Sequence, residues 1–163
     1  MIDGEILAAA EALLIHARAR GLRLATAESC TGGLIAGALT AIAGSSDVVE
    51  GGFVTYSNEA KMAMLDVPDA LFPQVGAVSD EVAAAMAAGV LARLPRVDLA
   101  VSVTGIAGPG GGSAAKPVGL VHFGIARRDR AGETSHAIIP GDRAGIRRAT
   151  VLQALALLAK AVE

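Results

Sequence analysis

Ala27-Glu28-Ser29-Cys30-Thr31-Gly32-Gly33 joins an apolar, strand-like segment, Leu22 to Ala27, to an apolar, helix-like one, Leu34 to Ile42. A strand that breaks into small polar residues and glycines and resumes as a helix is an elementary unit of an α/β fold. The turn also concentrates chemistry: an acid, two hydroxyls and the only cysteine of the chain. Main-chain N–H groups at a helix start lack intrahelical partners and favour negative charge, so a nucleophile placed there has oxyanion donors beside it. Two glycines allow close approach of backbone or ligand. The plainer alternative is that Ser29 or Thr31 caps the helix.

Working outward, apolar residues at Ile6, Ala10, Leu13, Leu14 and Ala17 follow one helical face, and Gly21 closes that helix. The helix opened by the heptapeptide ends near Gly44. Val48 to Ser57 reads as a strand, with Phe53, Val54, Thr55 and Tyr56 favouring extended structure. Ser57 or Asn58 caps a short helix through Leu65, and Pro68 and Pro73 punctuate a loop after it. Ser79-Asp80-Glu81 opens another helix, to about Leu94, with acids in its first turn. Val97 to Thr104 has the near-continuous apolar character of a central strand covered on both faces. Strands follow over Leu120–Ala126 and Glu133–Ile139, joined by a hairpin turn over Arg127–Gly132, and Gly141-Asp142-Arg143 opens the last helix. Alternating helices and strands predict a three-layer α/β/α fold. The hairpin makes its sheet mixed, mostly parallel rather than wholly so.

The 163 residues are expected to form one domain. Fourteen basic against sixteen acidic residues give a formal net charge of −2, so no cationic surplus exists to neutralise a nucleic-acid backbone. Aromatics at 2% remove the stacking platforms of single-strand binders. The expected partner is a small molecule. A lone cysteine excludes an internal disulfide framework and a cysteine zinc cluster. The acidic start, Met1-Ile2-Asp3-Gly4-Glu5, is unlike a secretory leader, and the apolar run from Ile6 to Ile15 is too short to span a bilayer. The expectation is a cytoplasmic protein without membrane contact. Alanine-rich helices, Val82 to Leu91 and Val151 to Ala161, offer apolar faces to a second copy, so a homo-oligomer is an open expectation.

The glycine-rich run Gly105-Ile106-Ala107-Gly108-Pro109-Gly110-Gly111-Gly112 follows the central strand, where ligands bind in open α/β sheets. Its N–H groups, those of Gly105 and Gly108 among them, suit a phosphate, although it matches neither a Walker loop nor a dinucleotide fingerprint. Lys61 falls in the first turn of its helix, where the dipole disfavours its charged form. Holding a lysine neutral at pH 7 costs roughly 4–5 kcal/mol, to be supplied by burial, the dipole and nearby charge. The histidines assemble no triad: His16 reads as a surface residue, His122 as a core or rim residue, and His136 as lying in an edge strand. No metal-ligand spacing is present, so neither metal nor cofactor is expected. Arg143 at a helix N-terminus is a reasonable anion clamp. The nucleophile is Ser29 or Cys30, since a cysteine at a helix start can have a depressed pKa.

Six blocks taken together resemble the CinA C-terminal domain family, whose enzymes are nicotinamide-nucleotide amidases. They are Thr26–Gly33, Gly52–Lys61, Gly76–Ser79, Thr104–Gly112, Lys116–Gly119 and Gly141–Arg143, in family order. The resemblance covers nearly the whole chain. Family members also occur fused behind a nucleotide-pyrophosphatase domain, for which this length has no room, so the stand-alone amidase form is implied. It implies hydrolysis of nicotinamide mononucleotide to nicotinic acid mononucleotide and ammonia, without metal, in pyridine-nucleotide salvage. Carried over by motif, Ser29 is the nucleophile and Lys61 its base, with Tyr56, Thr104 and Arg143 as further site residues. Beside that analogy, Tyr56 is placed to relay or orient the proton. N–H groups of the helix start around Thr31 and Gly32 are expected to meet the oxyanion. The glycine-rich loop, Lys116 and Arg143 are expected to share the substrate phosphate.

Overall fold

In the computed structural model, which describes residues 2–163, the heptapeptide lies where a buried strand gives way to a short helix. Strand β1 (Leu24–Glu28) is buried along its whole length, and α2 (Leu34–Thr40) follows it. β2 (Val49–Val54) and β3 (Leu99–Gly105) flank β1, both parallel to it. β4 (Leu120–Arg127) runs antiparallel to β3, and β5 (Arg130–Ile138) antiparallel to β4. The order is β2-β1-β3-β4-β5, a mixed sheet in which β4 alone among the described strands opposes the rest. Both the mixed character and the mostly parallel sense therefore agree with the sequence reading.

Side chains of successive strand residues alternate between two layers. Leu24, Leu99, Val101 and Val103 pack with α1 (Gly4–Ala19), α2 and α6 (Arg143–Val162). Ala25, Ala27 and Ala100 face the opposite way, against α3 (Asn58–Leu65) and α5 (Asp80–Arg93), through Leu65, Val82, Met86 and Val90. Small residues on the second face let α5 lie close to the sheet: the Ser102 hydroxyl donates to the Ala83 carbonyl at 2.5 Å. The result is the three-layer α/β/α arrangement.

The expected caps are largely in place. The side chains of Ser57, Ser79 and Asp142 accept N–H bonds at the starts of α3, α5 and α6. Three local readings need correction. The loop punctuated by Pro68 and Pro73 contains a short helix, α4 (Leu71–Val75), because a proline in a first turn forfeits no intrahelical bond. The hairpin is tighter than expected, with Arg127 paired to Arg130 and only Arg128-Asp129 between them. The strand after Val48 stops at Val54, leaving Thr55 and Tyr56 outside the ladder. Among the described residues no helix is long and apolar enough to cross a membrane.

β1 connects to β2 through α2 on one face, and β2 connects to β3 through α3–α5 on the other. The chain thus reverses its direction of travel across the sheet beside β1, and a crevice opens at the strand carboxyl ends there. Ser29 follows β1, Tyr56 follows β2, and Thr104-Gly105 end β3. All three junctions meet at that crevice.

Candidate active site

Ser29 is held from both sides. Its N–H donates to the Val103 carbonyl of β3 at 3.1 Å, and the N–H of Thr55 donates to the Glu28 carbonyl at 2.8 Å. Gly32 and Gly33 follow with φ of 62° and 96°, a left-handed pair that turns the chain into α2. Neither Ser29 nor Thr31 caps that helix, contrary to the plain alternative. The carboxylate of Glu28, fully buried, accepts the N–H groups of Gly33, Ile35 and Ala36 at 3.1, 3.0 and 2.8 Å, and the Thr31 hydroxyl at 2.6 Å. A strand residue therefore occupies the N-terminus of α2. The N–H groups at the start of α2 itself are thereby committed to this carboxylate. Among the described residues, the N–H groups of Cys30 and Thr31 have no main-chain acceptor and remain as donors.

Lys61 reaches Ser29 because a helical side chain leans toward the helix N-terminus. From the first turn of α3 its amine passes back to the loop after β2. Nζ lies 3.1 Å from Ser29 Oγ, 3.0 Å from the Thr55 carbonyl oxygen and 3.3 Å from that of Tyr56. The side chain is buried, and among the described residues no carboxylate lies within ion-pair distance of it. Burial pushes its pKa below the ordinary lysine value, against weaker upward pulls from Cys30 and Glu59. Nζ donates to all three oxygens, and the Ser29 hydroxyl donates to the Tyr56 carbonyl at 3.4 Å; a deprotonated amine would have a lone pair to turn toward Oγ. Burial drives the Cys30 thiol the other way, up to about 11, so it stays protonated near neutrality.

The cleft in front of this pair has a volume of about 250 Å³. Tyr56, Thr104, Gly105 and Arg143 line it together with Ser29 and Lys61. Tyr56 meets Lys61 through its carbonyl. Its ring is 61% exposed at the mouth, and its hydroxyl accepts a hydrogen bond from Arg143 Nη2 at 3.2 Å. Thr104 Oγ1 donates to the Ala77 carbonyl at 2.8 Å and fixes the opposite wall. Arg143 Nη1 donates to the Gly108 carbonyl at 2.9 Å, tying the glycine-rich loop to the start of α6.

Not every expected residue arrives there. Thr31 is buried beneath Glu28, and Gly32 shapes the turn; neither lines the cleft. Lys116 donates its ammonium to the carbonyls of Val75 and Val78 and borders a separate depression. Of the two cations expected at the phosphate, Arg143 alone faces the cleft. Conversely, Asn58 lines the cleft, and Arg147 donates to the carbonyls of Cys30 and Thr31 at 3.1 and 3.0 Å, holding the loop after Ser29 from behind. From sequence Asn58 reads only as a candidate cap, and nothing local marks Arg147. Glu28 was legible only as a lone acid ending an apolar strand.

Beyond Arg143 and Ala107 the cleft continues into a wider depression of about 610 Å³, bordered by Pro109, Val118, Gly141 and Arg147.

The family model of the CinA C-terminal domain matches residues 7–162. The chain belongs to the CinA C-terminal domain family. Within it, the chain is similar to the nicotinamide-nucleotide amidohydrolase PncC of Escherichia coli K12, at 48% identity over 97% of this chain and 95% of that protein. A putative competence-damage inducible protein of Caldicellulosiruptor bescii is 50% identical over 86% of this chain, which spans 34% of that longer relative. Among solved structures, the competence/damage inducible protein CihA from Agrobacterium tumefaciens superposes with a TM-score of 0.94 at 50% identity, over 99% of this chain and 98% of that one. The layered fold is therefore shared with that solved structure over nearly the whole chain.

Proposed function

We propose that this chain is an amidohydrolase that deamidates nicotinamide mononucleotide by a serine–lysine mechanism. The observation that carries the reading is the 3.1 Å contact between Lys61 Nζ and Ser29 Oγ in a buried setting without a carboxylate. The substrate class is supported by the 48% identity with the Escherichia coli amidohydrolase over nearly both full lengths.

Neutral Lys61 takes the Ser29 proton as Oγ attacks the carboxamide carbon. The N–H groups of Cys30 and Thr31 receive the tetrahedral oxyanion. Lys61, now an ammonium ion, passes its proton to the amide nitrogen; the C–N bond breaks and ammonia leaves an acyl ester on Ser29. Water then attacks that ester with Lys61 again as base, releasing the carboxylate and restoring the serine. No step calls for a metal or cofactor. The pyridine ring enters between Tyr56 and Thr104. The ribose phosphate extends past Arg143 into the wider depression, where the guanidinium groups of Arg143 and Arg147 favour an anion. The product is the acid mononucleotide, placing the reaction in pyridine-nucleotide salvage.

The test is ammonia release from nicotinamide mononucleotide after dialysis against chelator, with free nicotinamide as comparator and Ser29→Ala as blank. Release that survives Ser29→Ala overturns the mechanism. Equal turnover of free nicotinamide overturns the assignment of a nucleotide substrate.

A further inference from the structure

Away from the cleft, the antiparallel ladder sets His122 of β4 directly opposite His136 of β5. Their rings lie on the α5 face of the sheet, centroids 5.0 Å apart and inclined by 36°. Asp80, the first residue of α5, completes the group. Its Oδ1 is 2.7 Å from His122 Nδ1 and 3.8 Å from His136 Nδ1, and the three ligand-type atoms lie within 4.8 Å of one another. His122 is almost buried whereas His136 is more than half exposed, so the group is anchored at its base and open to solvent. It borders the depression of about 450 Å³ that also holds Lys116.

We propose that Asp80, His122 and His136 form a binding site for a zinc-class divalent cation. Zinc bound by imidazole and carboxylate at about 2.0–2.2 Å separates neighbouring ligand atoms by roughly 3.3–3.6 Å in a tetrahedron. The two separations from Asp80 Oδ1 bracket that range, and the partly exposed side chains of Asp80 and His136 have room to adjust to it. Two imidazoles and a single carboxylate favour zinc, nickel or cobalt over magnesium or calcium, which demand mostly oxygen donors. The open side leaves a coordination position for water. Occupancy links the β4–β5 hairpin to the start of α5, just beyond Ala77 and Val78 in the wall of the Ser29 cleft. The site supplies no group to the reaction proposed above.

Equilibrium dialysis of the intact protein against Zn2+, followed by metal analysis, decides the matter, with Mg2+ as comparator. The expected result is one zinc per chain with a zinc-dependent rise in Tm. His136→Ala, a change at an exposed position, and Asp80→Asn should each weaken retention by about 100-fold or more. His16→Ala should leave it intact. Absence of zinc binding by the wild-type protein, or retention undiminished in His136→Ala, overturns the site. Loss of zinc in His16→Ala, or equal retention of magnesium, overturns it equally.

Discussion

Glu28 accepts the main-chain N–H of Ala36 at 2.8 Å, across the turn that carries Ser29. With the bonds from Gly33, Ile35 and Thr31, this makes a buried carboxylate the fixed origin of both α2 and the Ser29 loop. The negative charge faces the positive end of the α2 dipole, which compensates its desolvation. Glu28→Gln keeps the shape but turns an amide group toward N–H donors. Hydrogen bonds to a charged group are worth about 1.5–3 kcal/mol each, so urea unfolding should show a loss of about 2–4 kcal/mol. Below the lowered Tm, kcat should fall more than KM rises, because the loop is displaced rather than the substrate pocket.

Cys30→Ala separates the two nucleophiles open to the sequence reading. With its thiol pushed up to about 11, Cys30 is a packing residue beside the pair. Its truncation should leave kcat within a few-fold of wild type and cost about 1 kcal/mol of stability through lost apolar contact. Ser29→Ala should abolish turnover while nucleotide still binds, as equilibrium dialysis would register. A Cys30→Ala variant without activity yet fully folded would reverse the assignment.

Much of this site was legible because its determinants are local. Ser57, Ser79 and Asp142 cap their helices from three residues away. Lys61 was legible as misplaced charge in a first turn, and its burial turns that misplacement into a lowered pKa. What the sequence concealed depends on contacts distant along the chain. The carbonyls that hold Lys116 come from residues 41 and 38 positions earlier, so nothing near Lys116 announced that its ammonium was committed. Arg147 holds carbonyls more than 100 residues away, and its spacing on α6 alone reads as a solvated face. The Glu28 cap arises from a strand, where capping patterns are not sought.

Arg143 lies between the Gly108 carbonyl and the Tyr56 hydroxyl and is the only one of the two expected clamp cations to face the cleft. If it holds phosphate, Arg143→Ala should raise KM about 10- to 100-fold with kcat little changed, the loss expected of a charge-assisted contact. Free nicotinamide, having no phosphate, should be turned over no worse by the variant. Tyr56→Phe removes the hydroxyl from Arg143 but leaves the Tyr56 carbonyl on Lys61. It should therefore raise KM a few-fold and leave kcat within about threefold. A large kcat loss in Tyr56→Phe would instead restore the hydroxyl relay.

The pH profile reports Lys61 in two states. As the proposed base, Lys61 must be neutral, so activity should rise with pH through its pKa. The pyridinium of the proposed substrate is cationic, and bound beside the amine it lowers that pKa further. The rising limb of kcat, which reports the complex, should therefore lie at lower pH than that of kcat/KM, which reports free enzyme. Identical limbs would exclude the substrate's contribution. Lys61→Arg, whose guanidinium stays protonated, should lower kcat by about 100-fold or more at every accessible pH.

A lowered lysine pKa is also a statement about stability. Between the folded-state value and the unfolded value near 10.4, the unfolded chain binds a proton that the folded chain does not, so stability rises with pH across that interval. Near neutrality, Lys61 therefore makes the fold less stable than an uncharged residue of similar length would. Lys61→Met should be inactive and more stable than wild type at pH 7, by about 1.4 kcal/mol for each tenfold displacement of the proton equilibrium, less any loss from imperfect packing. The gain should shrink as pH climbs toward 10.4 and disappear above it, because both states of the wild-type protein are then deprotonated. Denaturant titrations of both proteins at pH 7 and pH 10.5 measure the difference. A gain that does not change with pH would mean that the methionine packs better than the lysine chain, and that the amine carries no penalty for being neutral.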